Sequence, residues 1–328
     1  MSTNFRILGA GIWGMAFSDY LAQLGHNIEV FCRDSNSYGS KDFLKLNFNK
    51  LKSSDIQPLA NLNSYNPSEA INIVAVNSKG FNDILKSNKS YFKKANELIS
   101  LTKGIDHHTG LLFHDLVSKM FGDRLRYGLI SGPSFASDLV NKKTISVSFA
   151  SSDKDLRNEL VNLTQSTYFS MQPTDRVIHI EIAGVIKNIA AILCGMSDFF
   201  FGKNKYTNLI IKKACNEAWE ISSRALDNFD LSNDKESIIS SPGFIGDMIL
   251  TCKQNQSRNY SFGNLIADSN MSAKEAKSEI GTVEGYDCCI SLVDNSSLYS
   301  GDLVNLVYDI VCNDNANRKY LVERYLQI

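Results

Sequence analysis

Lys187 is one residue whose type and neighbours could move a proton. It falls in a helical pattern whose apolar stripe is Ile182, Val185, Ile186, Ile189 and Leu193, while Gly184, Lys187, Asn188, Ala191 and Gly195 form a small and polar strip on the other side. Small neighbours leave room for a substrate, and a lysine there can protonate a carbonyl oxygen as hydride arrives at the carbon. A second cation nearby, Lys103, would lower the pKa of that lysine toward working pH. Taken alone, a lysine on a helix is more often a solvated surface residue. Ser257-Arg258-Asn259 offers a hydroxyl, a guanidinium and an amide in succession. That set suits a phosphate monoester and nearby hydroxyls, although the tripeptide by itself also fits a polar loop. Asp247, after Gly246, reads by itself as a helix N-cap.

A second chemical signal lies at the start of the chain. Gly9-x-Gly11-x-x-Gly14 sits between a short strand, Phe5 to Leu8, and a helix whose apolar stripe is Trp13, Ala16, Phe17, Tyr20, Leu21 and Leu24, with Gly25 able to end it. In that context Gly9 allows a tight turn, Gly11 lets backbone approach a pyrophosphate, and Gly14 lets the helix pack closely, so the helix N-terminus can hold a dinucleotide. A glycine-rich turn that merely packs is the competing reading. The next strand, Ile28 to Cys32, runs into Arg33-Asp34. A carboxylate there accepts from a ribose 2′-hydroxyl and suits NAD, whereas a guanidinium pairs with the 2′-phosphate of NADP. Asp34 also fits an ordinary surface ion pair.

The elements that must carry these residues follow from the pattern. Further strands are expected at Ile71 to Val76, Leu98 to Leu101, Tyr127 to Ile130 and Ile145 to Phe149, and strands alternating with helices imply a mostly parallel sheet. After Met171-Gln172-Pro173 helical patterns dominate. The expected architecture is an α/β, Rossmann-type, mostly parallel sheet domain over residues 1–175, followed by an all-helical second domain over 176–328. Asn228 to Ser240 reads as a polar connector. The 328 residues carry 34 Lys+Arg against 35 Asp+Glu, a formal net charge of −1, so no global field exists for nucleic acid and an anionic ligand must be held by local donors.

Seven scattered cysteines without a Cys-x-x-Cys pair fit a reduced cytosol and offer no zinc or redox site. His107 and His108 are adjacent with no other ligand at metal spacing and read as solvated loop residues, so no metal is expected. The start lacks a signal pattern, and no run approaches the roughly 18 consecutive apolar residues that span a bilayer. A soluble, cytoplasmic protein is the expectation.

Thr102-Lys103-Gly104, Ser131-Gly132-Pro133-Ser134-Phe135-Ala136, Lys187-Asn188, Gly246-Asp247, Ser257-Arg258-Asn259 and Val283-Glu284-Gly285 follow Gly-Ala-Gly-Ile-Trp-Gly in order. The ordered set resembles the NAD(P)-dependent glycerol-3-phosphate dehydrogenases, most closely the bacterial type, over nearly the whole chain. The resemblance implies reduction of dihydroxyacetone phosphate to sn-glycerol 3-phosphate for phospholipid synthesis, and it allows a homodimer. It gives Lys187 the acid/base role and makes Lys103, Gly132, Ser134, Asp247, Ser257, Arg258 and Asn259 substrate contacts. It makes Gly9, Gly11, Ile12, Trp13, Gly14, Arg33, Asp34, Lys103, Ala136, Arg258, Thr282 and Glu284 cofactor contacts. Arg33 matches the family's position after the second strand, which favours NADPH. Ile12, Asn77, Lys212-Lys213, Ser241-Pro242 and Tyr260 depart from the family pattern, Tyr260 standing where arginine is frequent. A catalytically silent NAD(P)-binding sensor would need the glycine loop but not Lys187, Lys103, Asp247 and Arg258 together. A two-domain 3-hydroxy acid or ketopantoate-type reductase would not need Ser-Arg-Asn.

Overall fold

A computed structural model describes residues 2–33, 48, 50–52, 55–226, 234–253, 257–268, 271–295 and 299–328. The chain divides into two compact units: Met1–Lys103 with Phe113–Val177, and Gly104–Leu112 with Ile178–Ile328.

Among the described residues the first unit is built on eight strands: β1 (Asn4–Leu8), β2 (Asn27–Cys32), β3 (Ile56–Pro58), β4 (Ile71–Val74), β5 (Glu97–Ser100), β6 (Arg126–Ser131), β7 (Ile145–Ala150) and β8 (Phe169–Thr174). They form one sheet in the order β3-β2-β1-β4-β5-β6-β7-β8. Every pairing is parallel except β6 with β7. Central strands β4 and β5 are buried at every residue, as expected for strands covered on both faces. Alternate residues enter opposite layers: Ile7, Ile73 and Ile99 join Phe17, Tyr20 and Phe169, while Leu8, Val74 and Leu98 join Phe81, Phe92 and Phe113. Two strands were not expected from the sequence, β3 and β8. Both lie at sheet edges and carry a proline, Pro58 and Pro173, a residue that edges tolerate and that weakens a strand pattern.

The second unit is helical, and it differs from a single cut near residue 175 by taking in Gly104–Leu112. Ile105 and Leu112 are buried and bridge each other, Ser291 Oγ donates to the His107 carbonyl at 3.2 Å, and Gly110, at φ +68°, lies against Asn295. His108 is exposed as expected, whereas His107 is half-buried. The Asn228 to Ser240 connector is described only from residue 234, where Lys235–Ile239 is a short helix, so residues 228–233 lie outside the described residues.

The centre of the second unit is the helix Val177–Phe201, in which every residue from His179 to Asp198 is buried. The one-sided stripe expected around Lys187 is therefore corrected: this helix is enclosed on all sides, as a helix apolar around most of its circumference must be. Among the described residues it alone has the length and composition to span a bilayer, and 94% of its most apolar stretch is buried inside the protein. Gly195 does not leave room for a substrate. A methyl group there would collide with the Tyr260 carbonyl, and one at Gly263 with the Ile192 carbonyl. Val177–Phe201 and the helix Arg258–Ala267 thus cross with their backbones in contact.

Gly263→Ala is expected to lower stability by about 3 kcal/mol or more, because backbone on both sides has no side chain that can swing away. Urea unfolding of the purified variant measures it, and a loss below about 1 kcal/mol would show that the crossing yields.

Candidate active site

In the first unit the order in which strands are added to the sheet reverses between β1 and β4, so β1 has β2 on one side and β4 on the other, both parallel to it. Ligands of open α/β sheets bind at the carboxyl ends of strands at such a switch point. The helix Ile12–Gln23 starts there, and the three loop glycines have three different reasons to be glycine. Gly9 has φ +120° and lies against the Ala75 carbonyl, so a side chain is excluded twice. A methyl on Gly14 would come within 2.7 Å of the Gly9 carbonyl and 2.9 Å of Ala75 Cβ. Gly11 is different: it has φ −69°, is exposed, and its nearest prospective neighbour is Ala75 O at 4.0 Å. Met15 N is the first helix amide to bond back, to Gly11 O at 3.0 Å, so the amides of Ile12, Trp13 and Gly14 open the helix. Open space above Gly11 and a helix start without acidic residues fit a pyrophosphate.

Other first-unit residues gather along the same sheet edge. Trp13 Nε1 donates to Ser134 O at 3.0 Å and its ring stacks on Phe17, while Ser134 Oγ donates to Gly132 O at 3.3 Å. Lys103 Nζ approaches the same Gly132 carbonyl at 3.5 Å. Gly132 is packed against Val147, and Ala136 opens the short helix Ala136–Val140. Ile12 is 44% exposed on the first helical turn. Arg33 follows β2 and is exposed, and Asp34 lies outside the described residues. Asn77, one of the departures, caps the helix Ser78–Ser87 by accepting from Gly80 N at 2.9 Å.

In the second unit Lys187 Nζ donates to Asp247 Oδ1 at 2.7 Å, with side-chain exposures of 9% and 3%. Its near neighbour is thus an anion on a separate helix, Asp247–Lys253. Ser241-Pro242 does not spoil the approach to Asp247. Pro242 begins a five-residue π-turn, Pro242–Gly246, that delivers Asp247 as the first residue of its helix. Asp247 therefore meets Lys187 and does not cap in the way its position suggested.

Beside the pair lies an amide junction. Asn259 Nδ2 donates to Asn188 Oδ1 at 3.0 Å, and Gly285 N donates to Asn259 Oδ1 at 2.9 Å. Asn188 Nδ2 reaches Glu284 Oε2 at 3.4 Å, and Gly285 packs against the Asn188 carbonyl. Glu284 opens the helix Glu284–Asn295, with Thr282 half-buried just before it. The Ser257-Arg258-Asn259 tripeptide is not a uniform polar loop. Ser257 caps the Arg258–Ala267 helix through Tyr260 N, Arg258 is exposed, and Asn259 turns inward to the junction.

Sequence reasoning assigned no role to Asn188, Asp198 or Tyr260. Tyr260 Oη donates to Asp198 Oδ2 at 2.7 Å, and burial, then the adjacent carboxylate, pushes the phenol above its usual pKa, so it remains a donor. The three-turn spacing of Asn188 and Asp198 along one helix was the signal available for them. Among the described residues no group of His, Cys, Asp and Glu is arranged to hold a metal.

The fold and its glycine loop put the chain in the class of dinucleotide-binding α/β proteins with an appended helical unit. Family models described as NAD-dependent glycerol-3-phosphate dehydrogenase N-terminus and C-terminus match residues 4–157 and 176–322, so the chain belongs to the NAD-dependent glycerol-3-phosphate dehydrogenase family. It is 30% identical over 293 residues to the glycerol-3-phosphate dehydrogenase (NAD(P)+) of Salmonella paratyphi B, covering 87% of this chain and 84% of that one. Its fold is similar to that of the Coxiella burnetii glycerol-3-phosphate dehydrogenase, with TM-score 0.83, 23% identity and coverage of 100% and 99% of the two chains. The Saccharomyces cerevisiae glycerol-3-phosphate dehydrogenase matches with TM-score 0.79 and 19% identity, covering 100% of both.

Two predictions follow from this geometry. Lys187→Ala is expected to cost about 3–5 kcal/mol by stripping its cation from a buried carboxylate, and Lys187→Met with Asp247→Leu is expected to recover most of it in urea unfolding. Equal stability of Lys187→Ala and wild type would remove the pair from the fold. Gly11→Ala is expected to fold like wild type yet bind NAD(P)H at least about tenfold more weakly by fluorescence titration, whereas Gly14→Ala loses stability first.

Proposed function

We propose that the protein catalyses the reversible reduction of dihydroxyacetone phosphate to sn-glycerol 3-phosphate with NADPH or NADH, supplying glycerophospholipid synthesis. The observation that carries the reading is the buried Lys187–Asp247 pair, one residue along the chain from the Asn188–Asn259 bond that anchors the Arg258 helix. An ammonium group for a carbonyl oxygen and an exposed guanidinium for a phosphate are what a phosphorylated carbonyl compound needs. Family membership supports the same chemistry.

The first unit, Met1–Lys103 with Phe113–Val177, binds the dinucleotide in this reading. Gly9, Gly11 and Gly14 shape the loop, Ile12 and Trp13 supply helix-start amides, and Ala136 lines the second loop. Lys103, Gly132 and Ser134 contact substrate, Lys103 also the cofactor. When bound, the nicotinamide supplies hydride to the carbonyl carbon. Lys187 Nζ gives its proton to the carbonyl oxygen as charge develops there, and Asp247, held at 2.7 Å, keeps the ammonium aimed and accepts from substrate hydroxyls. Arg258 and Ser257 hold the phosphate, Asn259 completes the set through its inward amide, and Arg258, Thr282 and Glu284 extend to the cofactor. In the oxidative direction the same lysine takes the hydroxyl proton back.

Six of the seven cysteines are buried and all are free thiols, which fits a reducing cytoplasm, and burial pushes Cys215 up to about 12. A homodimer is part of the proposal. The second unit exposes Phe199, Leu209, Ile249, Tyr320 and Ile328, large apolar side chains of the kind an interface covers.

The deciding assay follows nicotinamide absorbance with dihydroxyacetone phosphate, using NADH and NADPH in turn. Lys187→Arg keeps a cation for Asp247 but releases no proton readily, so turnover is expected to fall by about 100- to 10,000-fold with the fold intact. NADPH is expected to be preferred, and Arg33→Ala to raise its KM by an amount equivalent to about 1.5–3 kcal/mol with much less effect on NADH. Near wild-type turnover of Lys187→Arg would end its assignment as the acid. A wild-type preference for NADH would hand the position to Asp34.

A further inference from the structure

The helices Val177–Phe201 and Arg258–Ala267 touch along one line from Asn188 to Asp198. Asn259 meets Asn188 at the near end, Gly263 and Gly195 bring the backbones together in the middle, and Asn264 Nδ2 donates to Gly195 O at 3.3 Å. At the far end Tyr260 Oη donates to Asp198 Oδ2 at 2.7 Å. The other Asp198 oxygen accepts from Asn204 N at 2.9 Å and faces Thr207 Oγ1 at 3.4 Å, so the carboxylate is itself tied to the turn that begins the helix Thr207–Ala225. Glycine contacts stop two helices from moving closer, but they leave sliding and rotation open. Directional bonds at the two ends remove those freedoms. The residues that they fix are neighbours of the proposed machinery: Asn188 follows Lys187, and Tyr260 is two residues from Arg258.

We propose that Tyr260 and Asp198 are positioning residues that set the register of Arg258 against Lys187, so that the phosphate-holding cation and the proton donor match one substrate. The inference rests on the functional reading above. Tyr260 touches no reacting atom in it and acts through Arg258. Its phenol, kept protonated, is a neutral donor to Asp198 where the family's frequent arginine would bring a charge.

The test is a double-mutant cycle on the full chain, reading KM for dihydroxyacetone phosphate, kcat and the thermal midpoint for wild type, Tyr260→Phe, Arg258→Ala and the double variant. Tyr260→Phe removes one oxygen and is expected to raise KM about five- to tenfold while kcat changes less than about threefold. In the Arg258→Ala background the same substitution is expected to leave KM unchanged, because the group through which it acts is gone. Independent, multiplying effects on KM would overturn the positioning role, as would a lowered midpoint with KM unmoved. If Arg258→Ala itself leaves KM unchanged, the phosphate role falls, and the positioning role falls with it by a separately visible route. Should Tyr260→Phe fail to fold, Asp198→Asn takes its place in the same cycle with the same expected pattern, because its amide keeps the shape but offers one acceptor oxygen where the carboxylate gives Tyr260 Oη and Asn204 N one each.

Discussion

An ammonium group with 9% of its side chain exposed needs a counter-charge, and satisfying that need organises the second unit. Lys187 stands in the middle of a helix enclosed on every side, so its partner must come from another element and arrive at hydrogen-bond distance. The π-turn at Pro242–Gly246 brings that partner, Asp247, to the start of its own helix. Around the pair, the remaining polar atoms are taken up by side-chain amides, with Asn188 and Asn259 bonding each other, Gly285 N and Glu284. Four helices thereby share one small polar region inside an apolar body, and a polar network of this kind specifies a single arrangement because every alternative leaves groups unpaired.

The first unit solves an opposite problem, keeping polar backbone exposed at one point. Gly9 and Gly14 are excluded from bearing side chains by neighbours on the inside, and Gly11 by nothing but the need for access. The sequence motif is thus two packing constraints and one vacancy, and the vacancy is where a ligand fits.

Much of this was readable in the residues. The alternation of strands and helices and the glycine loop were legible because each depends on neighbours within a few positions, and the short motifs were legible through the resemblance of their ordered set to a family. The edge strands β3 and β8 were not, since prolines and short length obscure their pattern and only pairing with β2 and β7 makes them strands. Lys187 was legible as a chemical group but not as a buried one: the apolar stripe through Ile182 and Leu193 is only part of a helix whose other faces are covered by Gly263, Tyr260 and Gly285. Such contacts join residues about 60 to 100 positions apart, beyond what periodicity can report. Tyr260 and Pro242 looked like disturbances of a pattern, and each has a specific task in the folded chain, a bond to Asp198 and the start of a π-turn.

The short excursion Gly104–Leu112 bears on how such a chain can be inherited. Its nine residues belong to the helical unit, yet they are encoded between β5 and β6 of the sheet unit. A gene fusion or exchange that joins a sheet segment from one ancestor to a helical segment from another cannot cut once: it would leave Ser291 and Asn295 facing a foreign loop in place of His107 and Gly110. A single crossover near the sheet–helix boundary is therefore expected to work best between relatives whose loop and whose Glu284–Asn295 helix already match.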